Sequence, residues 1–203
     1  MFCHACRIFH WLHWSANHSK ECSVKSPILL LPGIGNSGPE HWQTLWENAD
    51  AGIQRIGAQD WENPECSQWV TSLECAVNRA GPDVVLVAHS LGCLQIAHWA
   101  AASQTPIRGA LLVAVPDPDR PSFPKAAVGF GSPTLRRFGF PSIVVASTND
   151  PFAETDYSER CAQAWGSVLV NIGACGHINA QSGLGDWPRG KALLESFLSA
   201  PAI

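Results

Sequence analysis

Charge is scarce in this sequence and leans only slightly acidic: 13 Lys and Arg stand against 17 Asp and Glu, a formal net charge of −4 over 203 residues. A nucleic-acid partner needs a basic stripe to gather phosphates, and none is present, so that class is set aside. No apolar run approaches the length that spans a bilayer, so no membrane span is expected. The glycine-rich segment PGIGNSG (32–38) lacks both the G-x-x-x-x-G-K-[ST] lysine and the G-x-G-x-x-G spacing, which argues against nucleotide binding. An uninterrupted signal-peptide core is missing too, because His10 and His13 break the only candidate and no A-x-A site follows. A reducing cytoplasm is therefore the expected location.

Cysteine is not scarce, but its arrangement excludes more than it suggests. Five of the eight cysteines, Cys66, Cys75, Cys93, Cys161 and Cys175, are scattered at irregular spacings and read as free thiols acting as small hydrophobes. The other three, Cys3, Cys6 and Cys22, lie with His4, His10, His13 and His18 in the first 25 residues. Thiolates and imidazoles suit zinc, yet only three residues separate Cys6 from His10, far fewer than a zinc finger places between ligand pairs. An interfacial helix on Phe9, Trp11, Leu12 and Trp14 would lack the cationic face such helices use. The reading is an N-terminal extension over 1–25, expected to be poorly ordered, ahead of one domain over 26–203, with no metal and no organic cofactor implied.

What is present is regular alternation. Apolar residues make up 46% of the chain, enough for a buried core in a domain of this length. Apolar runs of strand length, ILLL (28–31), GIQRI (52–56), VVLVA (84–88), GALLVAV (109–115), SIVVAS (142–147) and SVLVNI (167–172), are separated by stretches of helical period. Helices are expected over 39–48, about 65–78, 91–102, 157–165 and about 189–198, the first opening at Pro39, a good first helical residue. This pattern predicts an α/β fold, a doubly wound and mostly parallel six-stranded sheet with helices on both faces. The segment 116–141, rich in proline and glycine, is too long for a turn and reads as a lid, a binding loop or a disordered segment.

The chemistry gathers where these strands end. In VVLVAHSLGC (84–93) a serine, Ser90, stands between a buried strand and a helix, with Ala88 and Gly92 two residues away on either side. The nucleophile elbow of α/β-hydrolases is G-x-S-x-G; a sharp turn demands small neighbours, and alanine adds only a methyl group. A serine hydroxyl is a weak nucleophile until a base takes its proton, so a histidine and a carboxylate must reach the same sheet edge. Asp150 follows the fifth strand in ASTNDPF, and His177 follows the sixth in NIGACGHIN, between glycines that permit a tight loop. Ser, Asp and His in that chain order, each just after a strand, form the α/β-hydrolase sequence of triad residues. An aspartate beside Pro151 also serves as a turn cap, and Asp156 is an alternative carboxylate. His177 and His89 can each be loop histidines bonded to backbone, and strand alternation directs His89 away from the Ser90 side.

The first and third strands lie side by side at the switch point of a doubly wound sheet, which brings PGIGNSG against the elbow. Its backbone can supply the second oxyanion donor beside Leu91 N–H. Ile34 is the favoured partner and Gly35 the alternative.

The segments PGIGNSGPEHWQTLWE, QDWENPECSQW, AHSLGC, ASTNDPF and WGSVLVNIGACGHINAQSGLGDWPRG together resemble the small, lidless α/β-hydrolases of the family that includes retinoblastoma-binding protein nine. The likeness runs from about Pro27 to the C-terminus. It implies a six-stranded minimal hydrolase core and a triad on Ser90, Asp150 and His177, and leaves the substrate undefined.

Five of the nine tryptophans, Trp42, Trp46, Trp69, Trp99 and Trp165, fall on helices and are expected to pack against the sheet. Trp61, Phe152 and Trp187 lie in loops at the functional edge and are candidates to line an acyl pocket, with His41 and Gln43 as further candidates to touch substrate. The expected activity is hydrolysis of an ester, thioester or small amide, the partner being a small acyl compound. The alternatives are an acyltransferase or small-peptide hydrolase on the same triad, or a binding protein that kept the fold and lost turnover.

Overall fold

The computed structural model describes residues 26–57 and 59–199. The Cys/His-rich extension, with the zinc and interfacial-helix readings attached to it, lies outside the described residues. Each apolar run becomes a strand: β1 (Ile28–Leu31), β2 (Ile53–Arg55), β3 (Val85–His89), β4 (Gly109–Val113), β5 (Ser142–Ala146) and β6 (Val168–Asn171). They form one six-stranded sheet in the order β2-β1-β3-β4-β5-β6. Every pairing is parallel, with Leu31 opposite Ala88, His89 opposite Val113 and Ala146 opposite Asn171 at the C-terminal edge. The switch point falls between β1 and β3, as the doubly wound reading requires.

Parallel strands need both faces covered, and side-chain alternation splits the core accordingly. Leu86, Ala88, Ala110, Leu112 and Val144 face α2 (Cys66–Ala80), α3 (Leu91–Ala102) and α4 (Thr155–Trp165). Val85, Val87, Leu111, Val113 and Val145 face α1 (Trp42–Ala49) and α5 (Pro188–Leu198). The helix tryptophans are all buried in these two layers: Trp69, Trp99 and Trp165 on the first, Trp42 and Trp46 on the second. Cys66, Cys93 and Cys161 are buried free thiols, and desolvation pushes the Cys161 thiol up to about 11, so it behaves as a hydrophobe rather than a nucleophile.

Two helix starts differ from expectation: α4 opens two residues early, at Thr155, and α1 opens late. Helix α1 opens at Trp42, not at Pro39, because His41 holds an extended conformation and its Nδ1 accepts the Gln43 N–H at 3.2 Å. Residues 38–41 form a turn instead, closed by His41 N–H on the Gly38 carbonyl. An imidazole nitrogen thus performs the capping that Ser, Asn or Asp usually supply.

The segment 116–141 is tied down along its length. Val128 exchanges backbone bonds with Pro64 and Cys66, and Phe130 is buried edge-on against Trp69. Asp117 N–H and Ser122 Oγ–H donate to the carbonyls of Phe152 and Pro151. It is a wall built onto the domain. Among the described residues no helix is long and apolar enough to cross a membrane.

Candidate active site

Strand β3 and helix α3 meet at a single residue, Ser90, whose backbone adopts φ 54° and ψ −122°. Positive φ is costly for a non-glycine residue and persists only where its surroundings impose it. Here Ser90 N–H donates to the Val113 carbonyl at 2.9 Å, and Cys93 N–H returns to the Ser90 carbonyl at the same distance. The turn is tight enough that a Cβ on Gly92 would lie 2.2 Å from the Leu31 carbonyl oxygen. A Cβ on Gly33 would meet the Ser90 Cβ at 2.8 Å. Ala88 is buried in the α2–α3 layer, where its methyl is accommodated.

The structure brings His177 and Asp150 to this serine. Ser90 Oγ lies 2.8 Å from His177 Nε2. His177 Nδ1 lies 2.9 and 3.0 Å from the two carboxylate oxygens of Asp150. Both side chains are buried. Asp150 Oδ1 also accepts the Phe152 N–H at 2.9 Å, which orients the carboxylate. Asp156 is exposed in the first turn of α4 and takes no part.

Four residues hold the His177 loop: His89, bonded to backbone as the sequence allowed, and Trp42, Ser147 and Asn149, to which sequence reasoning gave no such bond. His89 Nε2 donates to the His177 carbonyl at 2.8 Å, and Trp42 Nε1 donates to the Ile178 carbonyl at the same distance. Ser147 Oγ accepts the Cys175 N–H and Asn149 Oδ1 accepts the Gly176 N–H. Alternation does turn His89 toward the α1 face, as expected, but the loop after β6 crosses the sheet edge to meet it there. Only the polar S-T-N run before Asp150 hinted at such lacing. The anchored loop includes Ile178 at φ 50°, an unusual conformation for a β-branched residue.

Beside the elbow, the loop after β1 presents Gly33 and Ile34 to a cavity of about 340 Å³ that also reaches Ser90, Leu91 and His177. Gly35 N–H is engaged by the Trp61 carbonyl at 2.8 Å, which removes the alternative donor. The N–H groups of Ile34 and Leu91 have no acceptor among the described residues. Arg55 braces the loop from below: its guanidinium bonds Asn36 Oδ1, the Ser37 carbonyl and Thr44 Oγ1 and pairs with Glu47 at 2.9 Å.

Residues 28–196 match the sequence model described as serine hydrolase. The chain belongs to the serine hydrolase family. Among solved structures, the hydrolase is similar to a protein described as a YdeN-like hydrolase from Pectobacterium atrosepticum, with 33% identity over 84% of this chain and 89% of that one, at a TM-score of 0.74. It is similar in fold to the ydeN gene product of Bacillus subtilis, with 20% identity over 87% of this chain and 100% of that one, at a TM-score of 0.72. No match was found among curated proteins. The family and the sheet together make this an α/β-hydrolase-type enzyme of minimal build.

Of the five side chains expected to line a pocket or touch substrate in the hydrolase, two border this cavity. Phe152 lines the cavity and packs its ring 4.5 Å from that of His177, and His41 lines it from the β1 side. Trp187 does not: it is buried on the far layer, stacked on Trp46 and 5.1 Å from Trp42, because Gly190 leaves room for the indole to fold back onto α5. Trp61 packs its ring against Trp69 and contributes its carbonyl to the β1 loop instead. Gln43 is fully buried and bonds the carbonyls of Leu31 and Val87, stapling β1 to β3 beneath the site. Pro116 and Phe123 of the proline-rich wall complete the cavity.

Burial, the Arg55 guanidinium and the His177 ring hold His41 down at about 4, and burial with the two neighbouring imidazoles lowers His89 in the same direction. Both stay neutral while the hydrolase is folded near neutral pH. Because the folded value of His41 lies below its ordinary 6.5, the unfolded chain binds the proton first, so stability is full above 6.5 and falls as pH drops toward 4. The difference amounts to about 3 kcal/mol. Thermal unfolding of wild type should therefore show Tm declining through this window. His41→Asn, which keeps a capping oxygen but does not titrate, should flatten the decline; an unchanged slope would remove His41 as its source.

Proposed function

We propose that the protein hydrolyses a carboxylic ester, thioester or small amide through an acyl-enzyme on Ser90, with His177 as base and acid and Asp150 as its orienting carboxylate. The observation that carries this reading is the unbroken hydrogen-bond line from Asp150 through His177 to Ser90. With Nδ1–H directed to the carboxylate, His177 Nε2 holds a lone pair toward Ser90 Oγ, so the hydroxyl donates along the bond it must lose.

In the reaction, Ser90 Oγ attacks the acyl carbon as its proton passes to His177 Nε2. The carbonyl oxygen becomes an oxyanion facing the N–H groups of Leu91 and Ile34, the former also at the positive end of α3. The C–O, C–S or C–N bond then breaks as His177 returns the proton to the leaving atom. Water repeats the sequence on the acyl-enzyme and restores Ser90. A small acyl compound as partner fits the cavity beside the serine.

A fluorophosphonate probe tests this directly. Wild type should be labelled stoichiometrically at Ser90, and Ser90→Ala should not be labelled at all. Well-folded wild type that resists the probe would sink the reading.

A further inference from the structure

The cavity beside Ser90 has two unlike halves. Strands β4 and β5 lie on one side of β3 and β1 on the other, so the loops after them face each other across the serine. From the β4 and β5 side come Pro116, Phe123, Pro124 and Phe152, with no polar side-chain atom among them. The β1 side brings Asn36 and His41. The loop after β6 is bonded to α1 through the Ile178 carbonyl and Trp42, and it adds Asn179 and Gln181, which also line a second recess with Pro151 and Phe152. Among the described residues no Lys, Arg, Asp or Glu lines the cavity, so it suits an uncharged ligand.

Within the polar half one group is left without a partner. His41 Nδ1 accepts the Gln43 N–H, which puts the proton of the neutral ring on Nε2. That Nε2 is buried, on a side chain that lines the cavity, and has no hydrogen-bond partner among the described residues. A buried donor without an acceptor is costly and calls for an explanation, one of which is that a ligand supplies the acceptor.

We propose that the His41 Nε2–H donates to an oxygen acceptor on the leaving group, so that the enzyme selects esters of ether- or hydroxyl-bearing alcohols, with the acyl chain in the apolar half. This rests on Ser90 as nucleophile. The leaving oxygen must take its proton from His177 Nε2, and the polar residues Asn179 and Gln181 belong to the loop that carries His177. The rings of His177, His89 and His41 stand in a row, 4.9 and 4.7 Å apart, so an alcohol departing toward His177 reaches the half where His41 waits, and the hydrocarbon of the acyl group is left to Pro116 and Phe123. As the acyl C–O bond breaks, its electrons go to the alkoxide oxygen, the His177 proton neutralises it, and the alcohol leaves. Water then forms the acid and frees Ser90.

The test compares esters that differ by one isosteric exchange of CH2 for oxygen. Butyl butyrate and 2-methoxyethyl butyrate place the exchange in the leaving group; butyl methoxyacetate places it in the acyl group. Each kcat/KM is divided by the rate of hydroxide-catalysed hydrolysis of the same ester, and the results are read as ratios within one preparation, so partial folding of a variant cancels. Wild type should favour the methoxyethyl ester over the butyl ester by about fivefold, the worth of one neutral hydrogen bond. His41→Asn and His41→Phe should bring that ratio to within about twofold of unity, and the acyl-side exchange should give no preference in any form. A wild-type ratio near one, a preference that survives both variants, or a preference on the acyl side would each overturn the proposal. Loss of fluorophosphonate labelling at Ser90 marks the separate failure of the nucleophile assignment.

Discussion

Replacing Ser90 with alanine should lower kcat/KM by about 10⁵- to 10⁶-fold while leaving thermal stability close to that of wild type. Among the described residues the hydroxyl has one partner, His177 Nε2, and the strained turn is imposed by backbone bonds that alanine keeps. His177→Ala should cost a comparable factor, and the double variant little more than either single one, because nucleophile and base act as a unit. A double variant that lost the product of both factors would mean that the two residues work independently. Asp150→Asn is a sharper probe. The Asn oxygen can still accept the Phe152 N–H, so the loop keeps its shape. The amide N–H₂ then faces His177 Nδ1, which must accept rather than donate; the ring proton moves to Nε2 and the lone pair toward Ser90 is lost. A fall of about 10⁴-fold in kcat with little change in Tm is expected. Steady-state kinetics and thermal melts on the same preparations distinguish this from simple unfolding.

The second large effect concerns packing. In Gly92→Ala the new methyl would sit 2.2 Å from the Leu31 oxygen and 2.9 Å from that of Pro32, both backbone atoms of β1 and the loop it leads into. Neither is the far end of a flexible side chain, so helix α3 or the β1 loop must move bodily. Overpacking of this kind typically costs 1 to 3 kcal/mol, and the backbone contact puts this site at about 3 kcal/mol or more. For a domain of this size that is a fall in Tm of roughly 6 to 12 °C. Turnover should drop further than stability alone explains, because the shift parts Leu91 N–H from Ile34 N–H across the oxyanion position. Losing one such donor is worth about 3 to 4 kcal/mol in the transition state. Gly131→Ala, where an added Cβ meets nothing within 4 Å, serves as the control. Equal Tm values for the two variants would show that the elbow has slack.

The sheet was legible because its central strands are buried on both faces and read as unbroken apolar runs, and because Ser90, Asp150 and His177 each stand in the connection that follows one. The choice between Ile34 and Gly35 was not legible, since it depends on the Trp61 carbonyl, a backbone group contributed from beyond β2. Trp187 misled for a related reason. Its position in a loop suggested the pocket, but Gly190 three residues later opens a slot on α5 that an indole fills, and such a slot exists only after the helix has formed. His89 and Gln43 look like site residues by type; their bonds to the His177, Leu31 and Val87 carbonyls are set by the crossing of the last loop over the first helix.

That crossing orders events in time. The Trp42 indole clasps the Ile178 carbonyl across 136 positions of chain, and Trp46 reaches the Asp186 carbonyl across 140. Contacts of such long range close late, since the loop entropy must be met before they repay it. A nascent chain grown as far as α4 already holds the serine and the carboxylate but no imidazole between them. Once His177 emerges, its unfavourable neighbour Ile178 stays in place only when the first helix is there to grip it. The imidazole is therefore set between serine and carboxylate in the same step that brings the last loop onto the first helix.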